Sequence, residues 1–125
     1  MVDAAGQVHL IDWDYGGFGH PYFDVSGLAT NADADEDVEA RVIELYEGKV
    51  TPDLWRTFRL FKVAVNLREY LWGIAQELSS GLDAETVGAG MSALYPDEVP
   101  GYSGYAAMNR RRYEASLAEF RRRHL

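Results

Sequence analysis

The sequence predicts a mainly α protein: a short β-hairpin followed by about five helices. Three observations lead there. Apolar residues recur every three or four positions over long stretches, which is the period of a core-facing helix. Residues suited to helix ends stand at the margins of those stretches. Only the first dozen residues show β-type runs, and turn residues separate them.

Taken in order, Met1-Val2 and Val8 to Ile11 flank Asp3-Ala4-Ala5-Gly6, a hairpin signal in which Gly6 supplies a positive φ. Asp14 to Pro21 holds Gly16, Gly17, Gly19 and Pro21 and reads as loop. Phe23 to Ala29 has helical potential, with Val25 and Leu28 three apart, and the acidic run Asn31 to Asp37 is a natural break. Asp37 is expected to cap a second helix carrying Val38, Val42, Leu45 and Tyr46 on one side and ending at Gly48. Thr51-Pro52 reads as the N-cap and first residue of the longest helix, Pro52 to Ser79. Its expected core stripe is Leu60, Ala64, Leu67, Leu71, Ile74 and Leu78. A short helix is expected over Ala84 to Leu94 and a loop over Tyr95 to Gly104. A last helix, about Tyr105 to Arg122, carries Met108, Tyr113, Leu117 and Phe120, with arginines placed to complement its dipole.

Composition narrows the function. The chain has 125 residues and a formal net charge of −8, which argues against a general nucleic-acid binder. An acidic surface suits solubility and also a cationic small ligand. There is no cysteine, hence no disulfide, thiolate metal site or cysteine nucleophile. No stretch is long and apolar enough to span a bilayer and no signal peptide is visible, so a cytoplasmic protein is expected. His9, His20 and His124 lack metal-ligand spacing, and Gly16-Gly17-x-Gly19 lacks the following Gly-Lys-Ser/Thr of a Walker loop.

The sharpest signal is "IDWDYGGFGHPYFDV", Ile11 to Val25. Asp12 and Asp14, two apart at a strand end, point the same way. Two carboxylates held together repel unless a cation or proton lies between them, and their hard oxygens suit Mg²⁺. The spacing equally allows Asp14 to cap a turn and Asp12 to be a solvated strand end. Trp72 and Glu69 lie three apart and hence share a helix face. A ring face beside a carboxylate suits a quaternary ammonium. Trp72 as core, with Glu69 facing a nearby cation or solvent, is the other reading.

Val8 to Asn31, "VHLIDWDYGGFGHPYFDVSGLATN", resembles the segment after the catalytic loop in the choline/ethanolamine kinase branch of the aminoglycoside phosphotransferase-like kinases. "LREYLWGIAQ" and "GYAAMNRRRYEA" resemble that family's later helices, in the same order. The resemblance implies the C-terminal portion of a protein kinase-like large lobe. Within 1–125 it divides the chain into a hairpin at 1–12, a metal-site loop at 12–24 and a helical subdomain at 25–125. It implies transfer of the ATP γ-phosphate to the hydroxyl of a small cationic amino alcohol such as choline or ethanolamine. Asp12 would hold Mg²⁺ against the ATP phosphates, with Asp14 beside the same metal. Asp24 would support the catalytic loop, or cap the helix near Val25, or do both. Trp72, Glu69 and Tyr15 would face the acceptor; the family often carries a second aromatic where Glu69 falls. The catalytic base would lie in a His-x-Asp-x-x-x-x-Asn loop upstream of Met1, and that motif occurs nowhere in the 125 residues. A truncated chain with little or no activity by itself is therefore expected. The alternatives are an aminoglycoside-type phosphotransferase fragment and a non-catalytic helical module that self-associates through surface left open by a missing lobe.

Overall fold

The structure is a computed structural model that describes residues 1–11, 16–82, 86–87 and 101–125. It is mainly helical. Four helices are described: α1 (Tyr22–Asn31), α2 (Glu36–Glu47), α3 (Pro52–Ser79) and α4 (Tyr102–His124). Thr86 and Val87 are also helical, and the rest of the short helix expected over Ala84 to Leu94 lies outside the described residues, apart from those two.

The expected hairpin shrinks to one antiparallel bridge, Val2 with Val8, and no strand forms among the described residues. The turn itself is well tied. The Asp3 carboxylate accepts the Ala5 and Gln7 N–H groups at 2.9 Å and pairs with the His9 ring at 2.8 Å, contacts that hold its pKa below the usual value. Val8, Leu10 and Ile11 are all exposed. A two-stranded ribbon with no surface to cover its apolar side gains too little to extend.

Helix α1 begins at Tyr22, directly after Pro21, so Asp24 lies inside the first turn and is not its cap. Its carboxylate there still complements the helix dipole. Tyr22, Ser26, Ala29 and Thr30 face inward, whereas Leu28 points out. The turn to α2 uses Asp33 at a positive φ of 48°. Asp tolerates that conformation better than most residues, and Arg112 of α4 donates to its carboxylate at 2.6 Å. The cap of α2 is Asp35, which accepts the Val38 N–H at 2.9 Å; Asp37 falls within the first turn. Gly48, at a φ of 73°, ends α2 as expected. The inward residues of α2 are Ile43, 0% exposed, and Glu39, which is ion-paired with Lys62. Val38, Leu45 and Tyr46, expected on the core side, are exposed.

Helix α3 runs over the expected residues, with Thr51 Oγ1 accepting the Leu54 N–H. Its core face differs from the expected one. The buried positions are Phe58, Arg59, Val65, Asn66 and Gly73, while Leu60, Leu71 and Leu78 are exposed, Leu78 by 82%. At about 100° per residue, the Leu60-to-Leu78 stripe lies opposite the buried face. Helix α3 thus has two apolar sides. One is used: α1 and α2 cover its N-terminal part around Tyr22, Ala29, Ile43 and Phe58, with Leu54, Trp55 and Phe61 packed against them. Helix α4 lies antiparallel along it, joined by Asn66 Nδ2 donating to Ser116 Oγ at 3.2 Å and by the close approach of Gly73 to Ala106.

Candidate functional site

Near the C-terminal half of α3, an aromatic corner forms where α4 passes over it. Trp72 stands edge-to-face with Tyr102 (5.6 Å between centroids, 81°) and with Tyr105 (5.5 Å, 78°). One turn back on α3, the Glu69 carboxylate accepts the Tyr105 hydroxyl proton at 2.6 Å and is ion-paired with Arg68. The Arg68 guanidinium in turn lies 5.1 Å from the centroid of the Phe23 ring. The chain α1–Arg68–Glu69–Tyr105–Trp72 therefore links three helices.

One glycine lets α4 approach closely: Gly73, next to Trp72, meets the backbone of Ala106 so tightly that a Cβ there would lie 3.0 Å from the Ala106 Cα. That approach puts the two tyrosines within ring contact of Trp72. The rings present π faces and edges to one another, an arrangement able to receive a soft cation. Arg68 offsets the charge of Glu69, so attraction for a cation would come from the rings more than from the carboxylate.

Trp72 and Glu69 are thus brought together, as their spacing predicts. Tyr102 and Tyr105 are additions that sequence reasoning missed. Their own three-residue spacing on one helix was the available signal. Asp24 is exposed at the start of α1 and its carboxylate makes no hydrogen bond to a described residue. Its neighbour Phe23 reaches the site through Arg68. Asp12, Asp14 and Tyr15 lie outside the described residues.

No family model, curated protein or solved structure matches the chain.

Among the described residues no group of three or more His, Asp or Glu side chains could hold a metal ion, a statement that does not extend to Asp12 and Asp14. No described helix is long and apolar enough to cross a membrane.

Proposed function

We propose that the chain is the C-terminal part of the large lobe of a choline/ethanolamine kinase-like phosphotransferase of the cytoplasm. The observation that supports this is that Tyr102 and Tyr105 close an aromatic corner around Trp72 beside Glu69; of these residues, the resemblance assigns Trp72 and Glu69 to the acceptor pocket. The rings would hold the cationic nitrogen of the amino alcohol, leaving its hydroxyl to accept the γ-phosphoryl group while ADP leaves. Asp12 and Asp14, as hard oxygen donors, suit Mg²⁺, which would neutralise the ATP phosphates during transfer. Without a His-x-Asp-x-x-x-x-Asn motif, the 125 residues by themselves would bind but not turn over.

Choline or tetramethylammonium should shift the Trp72 indole resonance saturably, and Trp72→Ala should weaken choline binding by roughly 3- to 30-fold, the range for a partly desolvated cation–π contact. The same change should affect an aminoglycoside far less, because polyamine sugars bind through many hydrogen bonds. Equal losses for both ligands would favour the aminoglycoside-type alternative. Absence of any indole shift would remove the acceptor pocket.

A second reading, a non-catalytic interaction module, is favoured by the open stripe of α3. Its four-three alternation from Leu60 to Leu78 is the repeat of a helix seam. Light scattering decides it. A mass that rises with concentration and returns to monomer in Leu71→Glu supports self-association; a constant monomer mass rejects it.

A further inference from the structure

The residues just ahead of α1 are tied to it by a histidine. Pro21 already has helical angles, φ −61° and ψ −24°. Its carbonyl accepts the Asp24 N–H at 3.0 Å and the Val25 N–H at 3.1 Å, and the His20 carbonyl accepts the Phe23 N–H at 3.0 Å. The first hydrogen-bonded turn therefore starts at His20, and Pro21 fills a place that suits proline. Proline has no N–H, so the first amide donor inside that turn is Tyr22. It donates to His20 Nδ1 at 3.3 Å. A cap of this kind is ordinarily an oxygen of Ser, Thr, Asp or Asn. Here a ring nitrogen does the same, and a ring nitrogen can be protonated.

A second contact fixes the ring. The imidazole is stacked on Phe61 of α3, with 4.5 Å between centroids and 20° between planes. His20 thus joins the start of α1 to α3 while remaining exposed to solvent. An Nδ1 that accepts a hydrogen bond carries a lone pair, which places the ring proton on Nε2. Protonation turns Nδ1 into a donor that faces the Tyr22 N–H, and the hydrogen bond is lost. It also puts a positive charge at the positive end of the α1 dipole. A cation over the Phe61 ring gains some attraction in return, but at an exposed phenylalanine that gain is small.

The groups around the ring leave this titration to His20. Tyr22 stands 5.8 Å away, and burial, with the charge of Glu47, pushes its hydroxyl up to about 12. Tyr46 of α2 meets Tyr22 edge-on at 6.1 Å. The Asp24 carboxylate, in the first turn of α1, is exposed and makes no hydrogen bond to a described residue. On α3, Lys62 follows Phe61 and is ion-paired with Glu39. Among these residue types, histidine is the one that ordinarily changes charge between about pH 5 and 8.

We propose that His20 is a proton-operated latch: neutral, it caps α1 and pins the end of the glycine-rich segment 16–20 to α3; protonated, it releases both. Gly16, Gly17 and Gly19 let that segment take up other conformations once the ring lets go. The latch is independent of the aromatic corner and of the phosphotransferase reading.

The test is an NMR titration of the purified, ¹⁵N-labelled chain from about pH 8 to about pH 5, following the His20 ring and the Tyr22 amide. The two should titrate together. Tyr22 amide exchange with water, divided by the intrinsic rate at each pH, should speed up by roughly 2- to 30-fold, the range for loss of a cap. The His20 ring should lose its ring-current shift from Phe61 over the same titration. His20→Asn keeps a cap acceptor that does not titrate, so Tyr22 should stay protected throughout. His20→Ala should leave Tyr22 exchange fast at every pH, with the helices retained by circular dichroism. A Tyr22 amide that ignores the His20 titration would overturn the proposal, as would the same pH response in His20→Asn. A protonated ring that stays stacked on Phe61 would overturn the release of the segment.

Discussion

Phe58→Ala is expected to cost about 3–5 kcal/mol of stability, the range for removing a large buried aromatic side chain. Phe58 is 0% exposed, stands edge-to-face on Trp55 at 5.8 Å, and belongs to the buried cluster with Tyr22, Ala29 and Ile43. Its carbonyl also accepts the Ser26 hydroxyl proton at 3.0 Å, which locks α1 to α3, and that contact uses the backbone and survives the substitution. The loss therefore reports side-chain packing alone. Against a typical domain stability of about 5–15 kcal/mol, it is large enough to leave a sizeable unfolded fraction. Urea unfolding followed by circular dichroism measures it. A shift worth less than about 1 kcal/mol would mean that the site collapses around the missing ring and that the core centre lies elsewhere.

The second large effect should come from Gly73. Glycine to alanine within an exposed helix ordinarily gains about 1 kcal/mol. Here the gain should be reversed, because the new methyl would lie 3.0 Å from both the Cα and the Cβ of Ala106 and 3.1 Å from its backbone nitrogen. Backbone cannot rotate away, so α3 and α4 must separate. Gly73→Val should be worse, with a net cost of about 1–3 kcal/mol or more from overpacking. The thermal midpoint gives the stability, and the indole shift with choline proposed for Trp72 should shrink alongside it, since the tyrosines move with α4. Ala106→Gly should restore part of both in Gly73→Ala, a coupling that only direct contact produces. If Gly73→Ala stabilises the chain and Ala106→Gly does nothing for it, the close crossing is wrong.

Helix limits were legible where side chains mark them uniquely. Thr51-Pro52 at the start of α3 leaves little choice, and Gly48 closes α2 by its positive φ. The start of α2 was less so, because Asp33, Asp35 and Asp37 are all of a capping type; Asp35 takes the role by accepting the Val38 N–H, while Arg112 holds Asp33. The inward face of α3 was misread for a physical reason. Its apolar stripe is cleaner on the outside, whereas the inside is broken by Arg59 and Asn66. Those two polar residues are tolerated because Glu36, Glu119 and Ser116, distant in sequence, meet them there. The hairpin is reduced to a single bridge for the converse reason: local turn chemistry was right, but no described residue covers the pair. At the candidate site, Trp72 and Glu69 announce themselves through helix spacing. Tyr102 and Tyr105 join them only through the fold of α4 onto α3.

Helix α3 packs against α1, α2 and α4, most extensively against α4. It acts as a spine, and its own breathing requires the whole assembly to let go. Helix α2 is held more lightly, with one fully buried aliphatic residue, Ile43, and ion pairs at Glu36 and Glu39. Local openings draw on the least anchored parts of a structure. The beginning of α2, at Glu36, also borders an open cavity of about 500 Å³ between the first turns of α2 and α3 and the end of α4. The fluctuation that widens that cavity is thus among the cheapest the molecule has, and it leaves the crossing of α3 with α4 undisturbed.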